Sequence, residues 1–165
     1  MNTDSIKDYA RYNLWANKEI APYLYKFTDD AWIRKGNSSF GTVAGTIIHI
    51  LWAELLWTQR LIEAPYQLPD VNMIKTKETV VTKYLNYSKQ FTDTVINFDD
   101  TELYEMVSYR TMSGKAYQNK RYEMVHHCIN HSTYHRGQVV LMMKNNNMET
   151  VPSTDYITFL NNVHE

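Results

Sequence analysis

The chain has 165 residues, 19.5 kDa and a formal net charge of -1, enough for one domain over residues 1–165 that buries a core without covalent staples. Its basic residues are dispersed, which excludes the electrostatic footprint of a nucleic-acid binder, and its one cysteine, Cys128, excludes an internal disulfide framework. The opening residues lack the apolar core of a signal peptide and no apolar run approaches membrane-spanning length, so a cytoplasmic protein is expected, with no nucleic-acid or membrane partner.

Asp4 or Ser5 is expected to cap a first helix with Ile6, Tyr9, Tyr12, Ala16, Ile20 and Leu24 at helical spacing. Pro22 removes a backbone donor and predicts a kink or an early end. Residues 36–41 read as a loop, and Thr42 as the cap of a second helix that must stop by Pro65. His49 lies inside that helix, on a face shared with Gly45, Thr46, Trp52, Ala53, Leu56 and Arg60. From Pro65 to Ile74 two prolines and weak periodicity indicate a connection, followed by a third helix over Lys77–Phe98. Alternation from Leu103 to Tyr117 around Ser113-Gly114 predicts a hairpin. Asn119 is expected to cap a long fourth helix to about Lys144, and Ser153 or Thr154 a short final one. The expected fold is therefore all-α, a four-helix bundle with a small β-hairpin inserted before the last long helix.

His131 and His135 carry the chemistry of the fourth helix. Residues four apart lie within about 40° of each other on a helix, so both imidazoles can address one ion, with His49 from a facing helix as the third ligand. Three neutral nitrogens and an open position suit zinc or nickel, with iron or manganese as further candidates. His127 extends the row by one turn, whereas His126 falls on another side. Glu123 and His126 have the Glu-x-x-His spacing of di-iron bundles, but no second copy exists. The His-x-x-x-His of zinc proteases is present without its glutamate, which Ser132 replaces. Cys128 reads as a small buried hydrophobe, Arg136 as a surface or inter-helix charge, Gly137 as a point of close backbone packing, and Gln138 as a partner for a ligating imidazole.

The chain resembles the DinB family of damage-inducible, metal-dependent bundles over nearly its full length. The resemblance is carried by Tyr12, Trp15, Ala16 and Asn17, by Ser39-Phe40-Gly41-Thr42 leading to His49 and Trp57, by Asn130 through Gln138, and by Pro152-x-Thr154-Asp155. It implies a four-helix bundle, histidine ligands at His49, His131 and His135, and a homodimer. Relatives in that family include bacterial thiol transferases and a mycothiol-dependent isomerase. The expected function is thus metal-dependent S-transfer or hydrolysis on a small molecule, with a low-molecular-weight thiol as cosubstrate in the first case. The competing readings are a non-catalytic metal- or small-molecule-binding stress-response bundle and purely structural histidines.

Overall fold

The computed structural model describes residues 2–36, 38–67 and 76–163. Of the expected Pro65–Ile74 connection, residues 68–74 lie outside that set, as does Asn37 of the 36–41 loop. Four long helices, α1 (Thr3–Leu24), α3 (Val43–Leu61), α4 (Lys77–Asn97) and α6 (Arg121–Asn145), pack in a ring in which α1 and α3 each touch both α4 and α6. Short helices α2 (Asp29–Ile33), α5 (Asp100–Tyr104) and α7 (Tyr156–Val163) decorate it, and strands β1 (Met106–Arg110) and β2 (Ala116–Lys120) form an antiparallel hairpin before α6.

Side-chain caps set the helix starts. Thr42 Oγ1 accepts from Gly45 N at 2.8 Å and Thr76 Oγ1 from Thr79 N at 3.2 Å, each satisfying a donor that has no intrahelical acceptor. The cap of α1 is Asn2 rather than Asp4 or Ser5, its Oδ1 accepting from Ser5 N at 2.9 Å. Pro22 sits in the last turn of α1, which ends two residues later. Leu103 and Tyr104 belong to α5 rather than to a strand, because Asp99 and Glu102 form a reciprocal capping box there, with both bonds at 2.8 Å. Asn119 stays in β2 opposite Val107; Lys120 starts α6, and Glu123 Oε2 accepts from its backbone N–H at 3.0 Å. Sequence periodicity missed α2, whose signal is Thr28 ahead of Asp29-Asp30, with Thr28 Oγ1 accepting from Ala31 N at 3.1 Å.

The core is divided in two along the bundle axis. One apolar cluster gathers Ile20, Leu24, Ile47, Leu51, Val80 and Met143; the other gathers Ile6, Leu61, Phe91, Val95, Val125 and Ile129. Between them runs a layer of buried polar side chains from all four long helices: Asn13 and Asn17, Glu54, Tyr84 and Ser88, and Ser132 with Arg136. Glu54 Oε1 accepts from Asn13 Nδ2 (2.8 Å), Asn17 Nδ2 (3.0 Å) and Ser132 Oγ (2.9 Å). Arg136 donates to Asn13 Oδ1 (2.6 Å) and Asn17 Oδ1 (2.8 Å), and Tyr84 OH to Asn17 Oδ1 (2.6 Å). The two asparagines thereby relay between a carboxylate and a guanidinium that do not themselves touch. A polar group this deep is tolerable only when its bonds are made, and each bond made here fixes the register of two helices. Arg136 is therefore an inter-helix tie and not a surface charge. Gly137 corrects the sequence expectation: it is exposed, and a Cβ built on it would meet nothing within 4 Å, so no neighbouring backbone requires it.

Candidate metal centre

His131 and His135 leave α6 on a face turned by about 100° from that of Ser132 and Arg136, the residues of the polar layer that follow each of them. The same bonds that align α6 with α3 bring His131 against His49, with 2.7 Å between their Nε2 atoms. One ring nitrogen from each of His49, His131 and His135 lies within 4.8 Å of the others, an arrangement that could hold a metal ion, and it is the one such His/Cys/Asp/Glu cluster among the described residues. The three sequence candidates are thus brought together.

Two neighbours shape the trio. Gln138, one turn on from His135, places Oε1 at 3.1 Å from His135 Nδ1 and donates through Nε2 to Ser39 Oγ at 2.9 Å. A proton on Nδ1 then faces the amide oxygen and leaves Nε2 as the free donor atom, the outer-partner arrangement usual for metal-binding imidazoles. Gln138→Leu should lower metal affinity by about 10- to 100-fold while leaving the circular dichroism unchanged; titration with a competing chelator checks this. Phe40 lies flat on His49, with ring centroids 3.6 Å apart at 19°, and meets His135 edge-on at 5.3 Å. This ring covers one side of the site although it is 42% exposed.

Phe40 reaches that place because the third residue of α3, Gly45, lacks a side chain. A Cβ on Gly45 would lie 2.6 Å from the Phe40 carbonyl oxygen and 3.1 Å from Thr42 Oγ1, so Gly45 lets the loop pass close over the first turn. Gly41, at φ +74°, turns that loop into the helix. Gly45→Ala should lift the loop, uncover His49 and weaken metal binding; a downfield-shifted His49 ring proton, freed from the Phe40 ring current, is the diagnostic signal.

Burial, and then the neighbouring imidazoles, lower the pKa of His49 and of His131 to about 4. Both rings are neutral at neutral pH, the form that ligates. The donor set fits a divalent transition ion: three imidazoles and no carboxylate.

An apolar cavity of about 320 Å³ ends on this cluster. His49 and His131 form its floor; Trp52, Leu56, Trp57 and Met112 are among its walls, with His127 at the side. His127 is stacked over His131 at 6.2 Å and packs against Trp57 at 4.7 Å, whereas His126 contacts Tyr9 and Tyr122 on another face. The sequence placed these two correctly relative to the ligands. It did not foresee Phe40 as a cover, nor Tyr66 and Met112 as cavity walls, because both enter through loops rather than through helical periodicity. Cys128 is fully buried, and burial holds its thiol well above the ordinary range, so it is not a nucleophile. Glu123 caps α6 and is not part of any metal cluster among the described residues.

The DinB family model matches residues 1–162. The chain belongs to the DinB family. A relative within the family, the protein DinB of Bacillus subtilis strain 168, is 23% identical over 158 residues and is covered to 90%, as is this chain. The crystal structure of a DinB-like protein from Bacillus subtilis superposes with a TM-score of 0.69 at 12% identity, covering 89% of this chain and 96% of that one. That likeness establishes the DinB-like fold, and the fold places the three histidines where α3 faces α6.

Proposed function

We propose that His49, His131 and His135 hold one divalent transition ion, with zinc or nickel favoured over iron or manganese, and that the protein turns over a small molecule in the adjoining cavity by thiol S-transfer or hydrolysis. The observation that carries this reading is the convergence of three imidazole nitrogens within 4.8 Å, two of them, on His49 and His131, at the floor of an apolar cavity. A bound ion supplies Lewis acidity, which lowers the pKa of a coordinated water or thiol enough to yield a nucleophile near neutral pH.

The chain's own residues supply the rest. Gln138 fixes the His135 ring, Phe40 excludes water from one side of His49, and Trp52, Leu56 and Trp57 offer apolar surface that desolvates the reacting groups. Hydrolases built on zinc often carry a glutamate base beside the first histidine; Ser132 occupies that place and is committed to Glu54. This favours S-transfer, in which a coordinated thiolate needs no separate base. The cosubstrate is then a low-molecular-weight cellular thiol, and the reading extends to a homodimeric cytoplasmic protein.

The test uses tag-free protein loaded with zinc, nickel or cobalt. Metal-dependent conjugation of a cellular thiol to a model electrophile, abolished in His135→Ala, is the expected result. Ester or amide turnover without conjugation moves the assignment to the hydrolase, and absence of both with each metal, alongside ligand-induced change in the cobalt spectrum, moves it to a binding bundle without turnover.

A further inference from the structure

The cavity over the histidines does not end at Trp57. Two further cavities, of about 560 and 320 Å³, open from it beneath the β-hairpin: the first shares Leu56, Tyr66 and Met112 with it, the second Trp57 and His127. These two cavities meet each other at Arg60 and Tyr109. The result is a channel along the α3–α6 seam, apolar near the histidines and cationic at its far end.

Arg60 is built into that far end. Its guanidinium carbon lies 4.6 Å from the Trp57 ring centroid and 4.8 Å from that of Tyr109, so it packs against both rings, which meet edge to face at 5.5 Å. Nη2 donates to the Arg110 carbonyl at 3.0 Å. Among the described residues no carboxylate pairs with it: Glu63, in the same cavity, is bound to Arg121 at 3.1 Å, and Glu123 accepts from Asn119 Nδ2 and the Lys120 backbone. A half-buried, ring-packed guanidinium with donors left over is a pre-organised oxyanion receptor, because the entropy of fixing its long side chain is already lost. Its separation from His49 is set by α3. Eleven residues bring Arg60 back to within about 20° of the His49 face and advance about 16 Å, shortened toward 10–15 Å because helical side chains lean toward the N-terminus.

We propose that the channel takes an elongated small molecule with an apolar or aromatic body and a terminal oxyanion, the oxyanion held by Arg60 and the other end presented to the three histidines. Selection by Arg60 explains why a guanidinium with no carboxylate partner among the described residues packs on the rings at this end of the channel, whereas Arg110, which also lines the cavity, is turned to the Gly114 carbonyl at 2.9 Å. The inference rests on the cavity being the substrate site, but its test does not depend on metal or turnover.

The probes are 6-phenylhexanoate and its uncharged amide, 6-phenylhexanamide, titrated by calorimetry and by tryptophan fluorescence into metal-free and zinc-loaded protein. The carboxylate should bind about tenfold or more tightly than the amide in both forms. Arg60→Gln should erase that preference while leaving amide affinity unchanged, Arg60→Lys should restore part of it, and Lys89→Gln, which removes an exposed cation on α4 away from the channel, should leave it intact. Unchanged amide binding also reports that each variant keeps a folded channel. Equal affinity of the two probes for the wild type, or a preference that survives Arg60→Gln, overturns the proposal. Loss of metal binding in otherwise discriminating protein would overturn the metal reading alone.

Discussion

Glu54→Ala is expected to cost about 3–5 kcal/mol of folding free energy, the scale for removing one member of a buried charged network and leaving the other uncompensated. In a chain of this length that is a drop on the order of 10 °C in melting temperature. Three donors, from Asn13, Asn17 and Ser132, lose their common acceptor at once, and Arg136 keeps its charge in a layer with no anion. Arg136→Met should be similarly severe for the mirror-image reason. The double variant Glu54→Ala/Arg136→Met should lose less than the sum of its single changes, by about 0.5–3 kcal/mol, because neither charge is then stranded. Chemical denaturation of the four proteins gives this coupling directly, and strict additivity would mean that the asparagine relay does not connect the two charges.

The second large effect concerns the metal and its dependence on pH. His131→Ala or His135→Ala should reduce affinity for zinc by more than about 100-fold without unfolding the bundle, since the polar layer and both apolar clusters lie elsewhere. In the wild type, the contribution of His49 and His131 to metal affinity should be nearly flat between about pH 8 and pH 6, where an ordinary imidazole of pKa about 6.5 already begins to take up protons. It should fall steeply only as the pH approaches the value of about 4 that burial imposes on His49 and His131. The same shift makes the apo protein acid-sensitive. Between about pH 6.5 and 4 the unfolded chain binds more protons at these two positions than the folded one, so their stabilising contribution is complete above about 6.5 and is lost as the pH falls toward 4. Metal content by atomic emission after dialysis at stepped pH, with parallel thermal melts of apo protein, measures both curves. Release of the ion centred near pH 6.5 would show that the two rings are not desolvated.

The long helices, the hairpin and the His131–His135 pair were legible because each rests on spacing within one segment. His131 and His135 share a face at any reasonable register of α6, and His49 falls on the mostly apolar face that became the cavity wall. What spacing cannot convey is how one helix meets another. Glu54 appears in the sequence only as a lone carboxylate in the apolar run from Ile47 to Leu61, and nothing local says that it is fully buried and bonded to α1 and α6. Asn13 and Asn17 likewise have the periodicity of a core stripe and the chemistry of a surface. Gly137 misled for the converse reason: a helical glycine suggests a tight neighbour, whereas Gly45 has one and Gly137 faces open space. Its residue type at that position is not explained by the structure.

On α6 the chain divides its duties between neighbouring residues: His131 and His135 belong to the histidine cluster, while Ser132 and Arg136 face the interior layer. The parts that hold the helices in register are therefore separate side chains from those that line the channel. Leu56, Tyr66 and Met112 have no part in the polar layer or in either apolar cluster, so they can be exchanged for larger, smaller or more polar residues without loosening the frame that aligns the histidines. One scaffold can then be refitted to different small molecules by drift at a handful of wall positions, and sequences that diverge widely in the channel should still fold around the same buried layer.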